Sequence, residues 1–398
     1  MVRKATANRY NIPLRLVLTE ENWRDFLPLT WMRPLWELRL GAMTLRERAE
    51  AFWGARASPL PARDWLGLAR EAPDGEIILS RSDFLPLEPA PELGPGAALF
   101  SHEGEPIAVR TSAPASSEGL FALARGARER VEIKAMVVGR FWNLVHMNPT
   151  ALSIDMENAE PVARGDVDAR AVLLGRVSVE DGARIYPGVV VDGEEGPVFI
   201  GRGSILMPNA FVGGPAYIGE NCLIKAGARI YGGTTLGPVC KIGGEVSETI
   251  IQGFSNKQHE GFLGHAYLGE WVNLGAGTEV SDLKNTYGTI RAWLDGEMAD
   301  TGLMFLGPTI GDHSKTGINT TITTGAVIGV FANLVGSGIS PKFVPSFSWG
   351  YPDFSEYRLE EAIEVARRVM ARRGVEMTPV YENTIRKVFE LTRPERTA

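Results

Sequence analysis

The sequence predicts an α/β domain at the N-terminus, a parallel β-helix in the middle and helices at the C-terminus. Three observations predict this. Eight aliphatic residues fall at steps of six from Ile200 to Ile242. Short aliphatic runs alternate with a helical stretch before them, and apolar residues recur at helical spacing after them. The expected boundaries are 1–155, 165–340 and 345–398.

Length and composition bound the reading. At 398 residues the chain is too long for one ordinary core. Hydrophobic residues make up 44% and charged residues 22%, the profile of a folded chain. A net charge of −7 argues against a nucleic-acid backbone as the main partner. No apolar run approaches the roughly 18 residues that span a membrane, and MVRKATANRYNIPLRLVL lacks the apolar core and cleavage site of a signal peptide. Two cysteines, Cys222 and Cys240, make neither a disulfide framework nor a metal site alone. The expectation is a cytoplasmic protein with no nucleic-acid or membrane partner.

The N-terminal elements come first. LRLVL reads as a strand, TLRERAEAFWG as a helix with Thr44 as N-cap, and GEIILSRSDFLP as a strand and its loop. Arg33 and Arg39 stand near Glu37 and Glu47, where ordinary ion pairs would use them.

In the central repeat the aliphatic positions are Ile200, Leu206, Val212, Ile218, Ile224, Ile230, Leu236 and Ile242. Two residues before each stands a small or modest one: Val198, Ser204, Ala210, Ala216, Cys222, Ala228, Thr234 and Cys240. Shorter runs flank it, from Leu173 to Val191 and from Ile310 to Leu334. A period of six is neither helical nor simple strand alternation. It fits short strands wound around a prism, the large residue filling the inside and the small one fitting beside it. Three repeats make one turn, so Cys222 and Cys240 stack one coil apart, facing inward.

The rhythm breaks after Ile242, where further steps of six fall on Glu248 and Phe254. It resumes at Leu263 and Leu268 and is interrupted again by residues 281–308. Insertions in a solenoid form loops on one face, and such loops often carry function. The first break holds two of the five histidines, His259 and His265, just before the stretch NLGAGT. Acyl transfer from a thioester to an amine needs a base, and imidazole titrates near neutrality. It also needs N–H donors for the oxyanion and polar or cationic groups for phosphates. Imidazole, carboxamide, lysine and glycine-rich backbone all lie in this segment.

The tail closes the chain. Apolar residues at 359, 362, 363, 365, 366, 369 and 370 predict an amphipathic helix ending at Gly374, and TPVYENTIRKVFELT predicts a second. Arg367, Arg368, Arg372 and Arg373 read as a solvated face, or as a contact for coenzyme phosphates or another subunit.

The hexapeptide pattern resembles that of left-handed parallel β-helix acyltransferases, which implies a homotrimer with sites between subunits. His259, Phe262, Leu263, Gly264, Leu268, Gly269 and Val272 to Thr278 resemble the acetyltransferase motif of the bifunctional N-acetylglucosamine-1-phosphate uridyltransferase/glucosamine-1-phosphate acetyltransferase family. TIGDHSKTGINTTITTGAVIG is similar to that family's archaeal and Bacteroidetes-type branch. The resemblance implies acetyl-CoA as acyl donor and a sugar phosphate or nucleotide sugar as ligand. It makes His259 the base, Phe262, Asn273 and Asn285 substrate contacts, and Ala276, Gly277 and Lys315 the coenzyme site. Either Glu260 or Glu245 orients the imidazole. His265 is a coil-surface residue or a support behind the site, and His313 is structural or lines the coenzyme groove. The family's sugar-phosphate lysine aligns with Ser247, so Lys257 or Lys284 is the candidate replacement.

PLTWMRP, residues 28–34, resembles the opening of sugar nucleotidyltransferases. In that class glycine N–H groups cradle a triphosphate. Here Thr19, Glu20, Glu21 and Asn22 replace the glycine-rich loop, and Leu35 replaces the lysine. The resemblance carries over Arg24, Thr30, Arg33 and Asp83 as a nucleotidyltransferase-like site, with Asp83 as the ligand of a Mg2+ ion. The leading functional reading is a sugar-phosphate N-acetyltransferase fused to a nucleotidyltransferase-like domain, serving nucleotide-sugar synthesis. One alternative is a sugar-1-phosphate nucleotidyltransferase, using UTP or dTTP, whose β-helix serves oligomerisation. The other is a non-catalytic trimeric scaffold that binds sugar nucleotides.

Overall fold

A computed structural model describes residues 15–68, 75–112, 119–157 and 161–397. Leu14, the first residue of the expected LRLVL strand, and the rest of the N-terminal stretch lie outside the described residues. The chain divides into two units.

The first unit is built on a six-stranded mixed sheet. Its strands are β1 (Arg15–Thr19), β2 (Ala57–Pro59), β3 (Ile77–Arg81), β4 (Ala97–Ser101), β5 (Pro106–Thr111) and β6 (Glu129–Ile133), in the order β2-β1-β3-β5-β4-β6. β1 runs parallel to β2 and β3, whereas β5 is antiparallel to β3 and β4. Both faces of the central strands are buried: all five residues of β3, Ser80 and Arg81 included, are buried. Helix α1 (Leu45–Trp53) begins in a capping box. The Thr44 hydroxyl accepts the Glu47 N–H while the Glu47 carboxylate accepts the Thr44 N–H, and Gly54 ends the helix in the left-handed conformation.

The second unit is a parallel β-helix. Its inward positions are the ones the six-residue period picks out: the eight aliphatic residues at steps of six from Ile200 to Ile242 are all buried. Coil follows coil at an offset of eighteen: Ile205 pairs with Leu223 and Leu223 with Lys241. Cys222 and Cys240 lie inside, one coil apart, as free thiols. The break is a short coil. Lys241 pairs with Asn256 at an offset of fifteen, and Asn256 with Asn273 at seventeen. Val246 and Ile251 fill the interior of this coil, while Glu248 and Phe254, where the steps of six fall, sit at corners with positive φ.

The first unit ends at Phe141, and the segments Leu27–Met32 and Arg39–Ala42 group with the second unit. Residues 142–155, expected with the first domain, group by contacts with the second unit, and hydrogen bonds show why. The Arg39 N–H donates to the Tyr267 hydroxyl at 2.8 Å and its Nε to the Gln252 carbonyl at 3.0 Å. The Gly41 N–H donates to Asn148 Oδ1 at 2.7 Å, and Asn148 Nδ2 donates to the Gly233 carbonyl at 2.7 Å. Asn148 is completely buried in helix α2 (Phe141–Met156), so each of these bonds meets a group that would otherwise be unsatisfied.

One prism corner carries a ladder of rings. Phe254, Trp271, His313, Phe331 and Phe347 all have positive φ. They stack in turn with centroids 4.4, 6.0, 4.6 and 4.8 Å apart. Helices α3 (Leu359–Ala371) and α4 (Pro379–Leu391) follow, with Ile363, Ala366, Met370, Ile385 and Val388 buried. The Tyr381 hydroxyl lies 2.9 Å from His313 Nε2, and Phe389 meets Phe347 edge-on. His313 is thus a completely buried rung of this ladder. Among the described residues no helix is long and apolar enough to cross a membrane.

Candidate functional site

The short coil places His259 on an outer corner of the prism. The residue is exposed, and among the described residues its imidazole has no hydrogen-bond partner. Gly261 sets the next step of the chain, with φ near 125° and a position where a Cβ would meet the Thr278 carbonyl oxygen at 2.2 Å. Only glycine lets these two coils approach so closely. The Gly277 N–H then donates to the Glu260 carbonyl at 3.1 Å. His259 and the Ala276–Gly277 turn therefore lie on neighbouring coils.

Phe262 is half-buried and folds back over Gly264, where a Cβ would meet its ring at 2.4 Å. Its N–H donates to the Glu279 carboxylate at 2.7 Å. Asn273 accepts from Asn256 Nδ2 at 3.2 Å and pairs through its backbone with both Asn256 and Lys315. The Ala276 carbonyl accepts the Asn319 N–H at 2.7 Å. Asn285 is exposed in the 281–308 insertion, whose antiparallel hairpin pairs Arg291–Leu294 with Glu297–Asp300.

Neither expected orienting carboxylate reaches His259. Glu245 and Glu260 instead flank the Arg229 guanidinium, each at 3.5 Å. Lys257, expected as a substrate-facing cation, takes the place that Ile242 holds one coil earlier, because the short coil shifts it inward. It is 2% exposed, and its ammonium donates to the carbonyls of Gly243 at 3.2 Å and His259 at 3.0 Å. Burial pulls its pKa down to about 8, against the charges of Glu279 and Glu260. Lys257 therefore fixes the backbone carrying His259. Lys284, the other candidate, donates to the Thr289 carbonyl within the insertion. Lys315 donates to the His313 carbonyl at 2.7 Å, and burial lowers its pKa to about 8.

His265 plays a different part from His259. Its Nδ1 lies 2.8 Å from Asp282 and its Nε2 3.3 Å from Glu248, and its ring stacks on Phe305. The insertion is thereby fastened to the prism. Burial opposes the charge, but the hydrogen bonds to Asp282 and Glu248 outweigh it and raise the pKa from 6.5 to about 9. A pKa raised on folding stabilises fully below the unfolded value and is lost as pH rises through the folded one. The His265 contribution, on the order of 3 kcal/mol, is thus expected to fade between pH 6.5 and about 9. Glu248 is held low mainly by the His265 hydrogen bond, so the stabilisation carried by that shift fades in acid. Thermal midpoints measured across this range should fall, and His265→Gln should flatten the fall. A midpoint with the same slope in both proteins would refute the ion-pair account.

The nucleotidyltransferase-like residues do not assemble as expected. Glu20, in the place of the glycine-rich loop, is completely buried and accepts four donations. They come from Arg63 Nε at 3.1 Å and Nη2 at 2.5 Å, from the Leu35 N–H at 2.9 Å and from the Ala62 N–H at 3.1 Å. The same guanidinium stacks over Trp23 and donates to the Arg33 carbonyl. Arg33 is buried, and Arg24 is exposed with its guanidinium over the Trp23 ring. Thr30 is buried in the segment that belongs to the second unit. Asp83 is completely buried, with Arg81 gripping it in bidentate fashion at 2.8 and 2.7 Å and Asn22 adding a bond at 2.8 Å. The expected role of Asp83 as a metal ligand is thereby corrected. Both carboxylate oxygens are engaged, and no group of metal-binding side chains is present among the described residues. These residues do not fit a Mg2+ ion.

Sequence reasoning missed Arg229, and named Arg373 only as one of a run of four arginines. Arg373, at the end of α3, donates to Asn256 Oδ1 at 2.6 Å. Its position in the arginine run was visible, but which arginine meets the prism depends on how the helix docks.

Comparison with known proteins follows the two units. Residues 16–161 match the sugar nucleotidyl transferase family, and residues 197–232 match the bacterial transferase hexapeptide family (six repeats). The chain is 31% identical over 223 residues to a bifunctional sugar-1-phosphate nucleotidylyltransferase/acetyltransferase of Sulfurisphaera tokodaii. That match covers 55% of this chain and 48% of the relative, so the chain spans about half the length of the curated relative it matches. Among solved structures, a UDP-N-acetylglucosamine acyltransferase of Francisella novicida aligns at 14% identity with a TM-score of 0.31, over 58% of this chain and 91% of that one. The Arabidopsis UDP-N-acetylglucosamine acyltransferase aligns at 17% identity and 0.24, over 55% and 78%.

Proposed function

We propose, from the premise that the chain joins a sugar nucleotidyl transferase domain to transferase hexapeptide repeats, that it is a sugar-phosphate N-acetyltransferase. Acetyl-CoA is the donor and the amine of a hexosamine phosphate is the acceptor. The observation that carries this reading is the exposed imidazole of His259, without a hydrogen-bond partner among the described residues, on the coil next to Asn273 and the Ala276–Gly277 turn.

In this reading the unprotonated amine attacks the thioester carbonyl carbon, and His259 accepts the amine proton as the C–N bond forms. The carbonyl oxygen takes up negative charge, which a backbone N–H stabilises. Gly277 spends its N–H on Glu260, so the donor is Ala276. Collapse of the tetrahedral intermediate breaks the C–S bond, and the imidazolium returns the proton to the departing sulfur. Phe262, Asn273 and Asn285 bound the sugar. The ammonium of Lys257 acts one step back, holding the His259 carbonyl. A homotrimer supplies what one copy lacks, since the group that orients the imidazole then comes from a neighbouring copy. The first domain serves as a folded support, because Glu20 and Asp83 are committed to Arg63 and Arg81. The protein works on nucleotide-sugar precursors in the cytoplasm.

The experiment compares glucosamine 1-phosphate with glucose 1-phosphate as acceptors for acetyl-CoA. Thiol release and an N-acetylated product are expected only with the amine. Equal acylation of both sugars, or of neither, would contradict the proposal.

A further inference from the structure

The C-terminal helices bind most of their arginines to their own glutamates. Arg367 pairs with Glu364 and Glu382, Arg368 with Glu364, and Arg386 with Glu360 and Glu382. Arg372 and Arg373 form no ion pair among the described residues. Arg373 crosses to the β-helix, where Nη1 donates to the Val239 carbonyl at 3.3 Å and Nη2 to Asn256 Oδ1 at 2.6 Å. Those two acceptors flank Lys241, whose strand pairs with Asn256 on one side and Leu223 on the other. Lys225 stands in the preceding coil, its N–H on the Ile242 carbonyl at 2.8 Å.

Lys225 and Lys241 also lack an acidic partner among the described residues. The Lys241 ammonium is pushed below its ordinary pKa first by Arg373, then by burial, then by Arg372 and Lys225, and no carboxylate acts the other way. The Arg373 bonds on either side of Lys241, Lys225 in the coil before it and Arg372 next to Arg373 at the end of α3 bring four cations to one face of a chain whose net charge is −7. Like charges at this range repel, and an anion seated among them removes the repulsion. The Arg373 fork is already held by two acceptors, so less ordering is required when a ligand binds.

We propose that Lys225, Lys241, Arg372 and Arg373 form a binding site for a phosphate-bearing anion, between the end of α3 and the strand Lys241–Ile242. A phosphate monoester or a pyrophosphate has the charge and the acceptor oxygens for this set. Asn256 bonds both Arg373 and Asn273, which links the anion to the neighbourhood of His259. The site does not depend on His259 acting as a base.

Calorimetric titration of inorganic pyrophosphate into the full chain at low ionic strength tests it. Saturable binding is expected, weakened about tenfold or more by Lys241→Gln and by Arg372→Gln, and weakened by salt. Arg372 is exposed, so its variant reports binding rather than folding. Titrating acetyl-CoA and a UDP-sugar into the same proteins identifies the source, which is whichever ligand loses affinity in the variants. If neither does while pyrophosphate does, the site takes the free anion. The proposal is overturned if the wild type does not bind pyrophosphate, or if both variants bind it as the wild type does. It is also overturned if the variants change only the oligomeric state, because the cations would then face carboxylates of a second copy.

Discussion

Replacing His259 by Ala is expected to lower the turnover of acetyl transfer by a factor of roughly 100 to 10,000, the usual worth of a positioned general base. The barrier rises by about 3–5 kcal/mol. The fold should not change, because the side chain is exposed and makes no intramolecular bond among the described residues. Circular dichroism and the sedimentation coefficient should match the wild type while thiol release from acetyl-CoA is lost. His265→Ala is the contrast. It removes the clamp on Asp282 and Glu248, so it should lower the thermal midpoint and leave the chemistry to follow the loosened insertion. Equal loss of turnover in both variants, with both folds intact, would show that the two histidines act together.

The second large effect concerns the buried pair in the first unit. Glu20→Ala leaves the Arg63 guanidinium buried and uncompensated, and strands the N–H groups of Leu35 and Ala62. Breaking one side of such a pair costs about 3–5 kcal/mol. Burial already lowers the Arg63 pKa, and the Glu20 charge and hydrogen bond work against that fall. A fall in the thermal midpoint on the order of 10 °C follows. Calorimetry of the full chain would read this as an earlier transition of the first unit. A midpoint within error of the wild type would mean that Glu20 is not the main counter-charge of Arg63.

The prism was legible because a buried coil repeats one requirement. Ile200, Leu206 and their successors must each fill the same interior, so the period appears directly in the sequence. The ring ladder was legible in principle as well. Trp271, His313, Phe331 and Phe347 each stand just before the small inward residue of every third repeat, as Val239 and Asn221 do. The short coil was not legible. A missing half-repeat says that the rhythm fails but not which residue moves inward, and Lys257 is where that ambiguity falls. The pairs Glu20–Arg63 and Asp83–Arg81 were unreadable for another reason. Glu20 and Arg63 lie far apart in sequence, and two residues of opposite charge advertise neither burial nor each other. Asp83 alone looks like a metal ligand, and only the guanidinium against it shows otherwise.

The central claim is that acyl transfer at His259, and not nucleotidyl transfer at Asp83, is the reaction of this chain. Two products assayed in parallel on the wild type test it most directly. One is thiol from acetyl-CoA with glucosamine 1-phosphate, and the other is pyrophosphate from UTP or dTTP with a sugar 1-phosphate and Mg2+. The predicted result is thiol release matched by N-acetylated sugar phosphate, with no pyrophosphate. Pyrophosphate without thiol release would contradict the account.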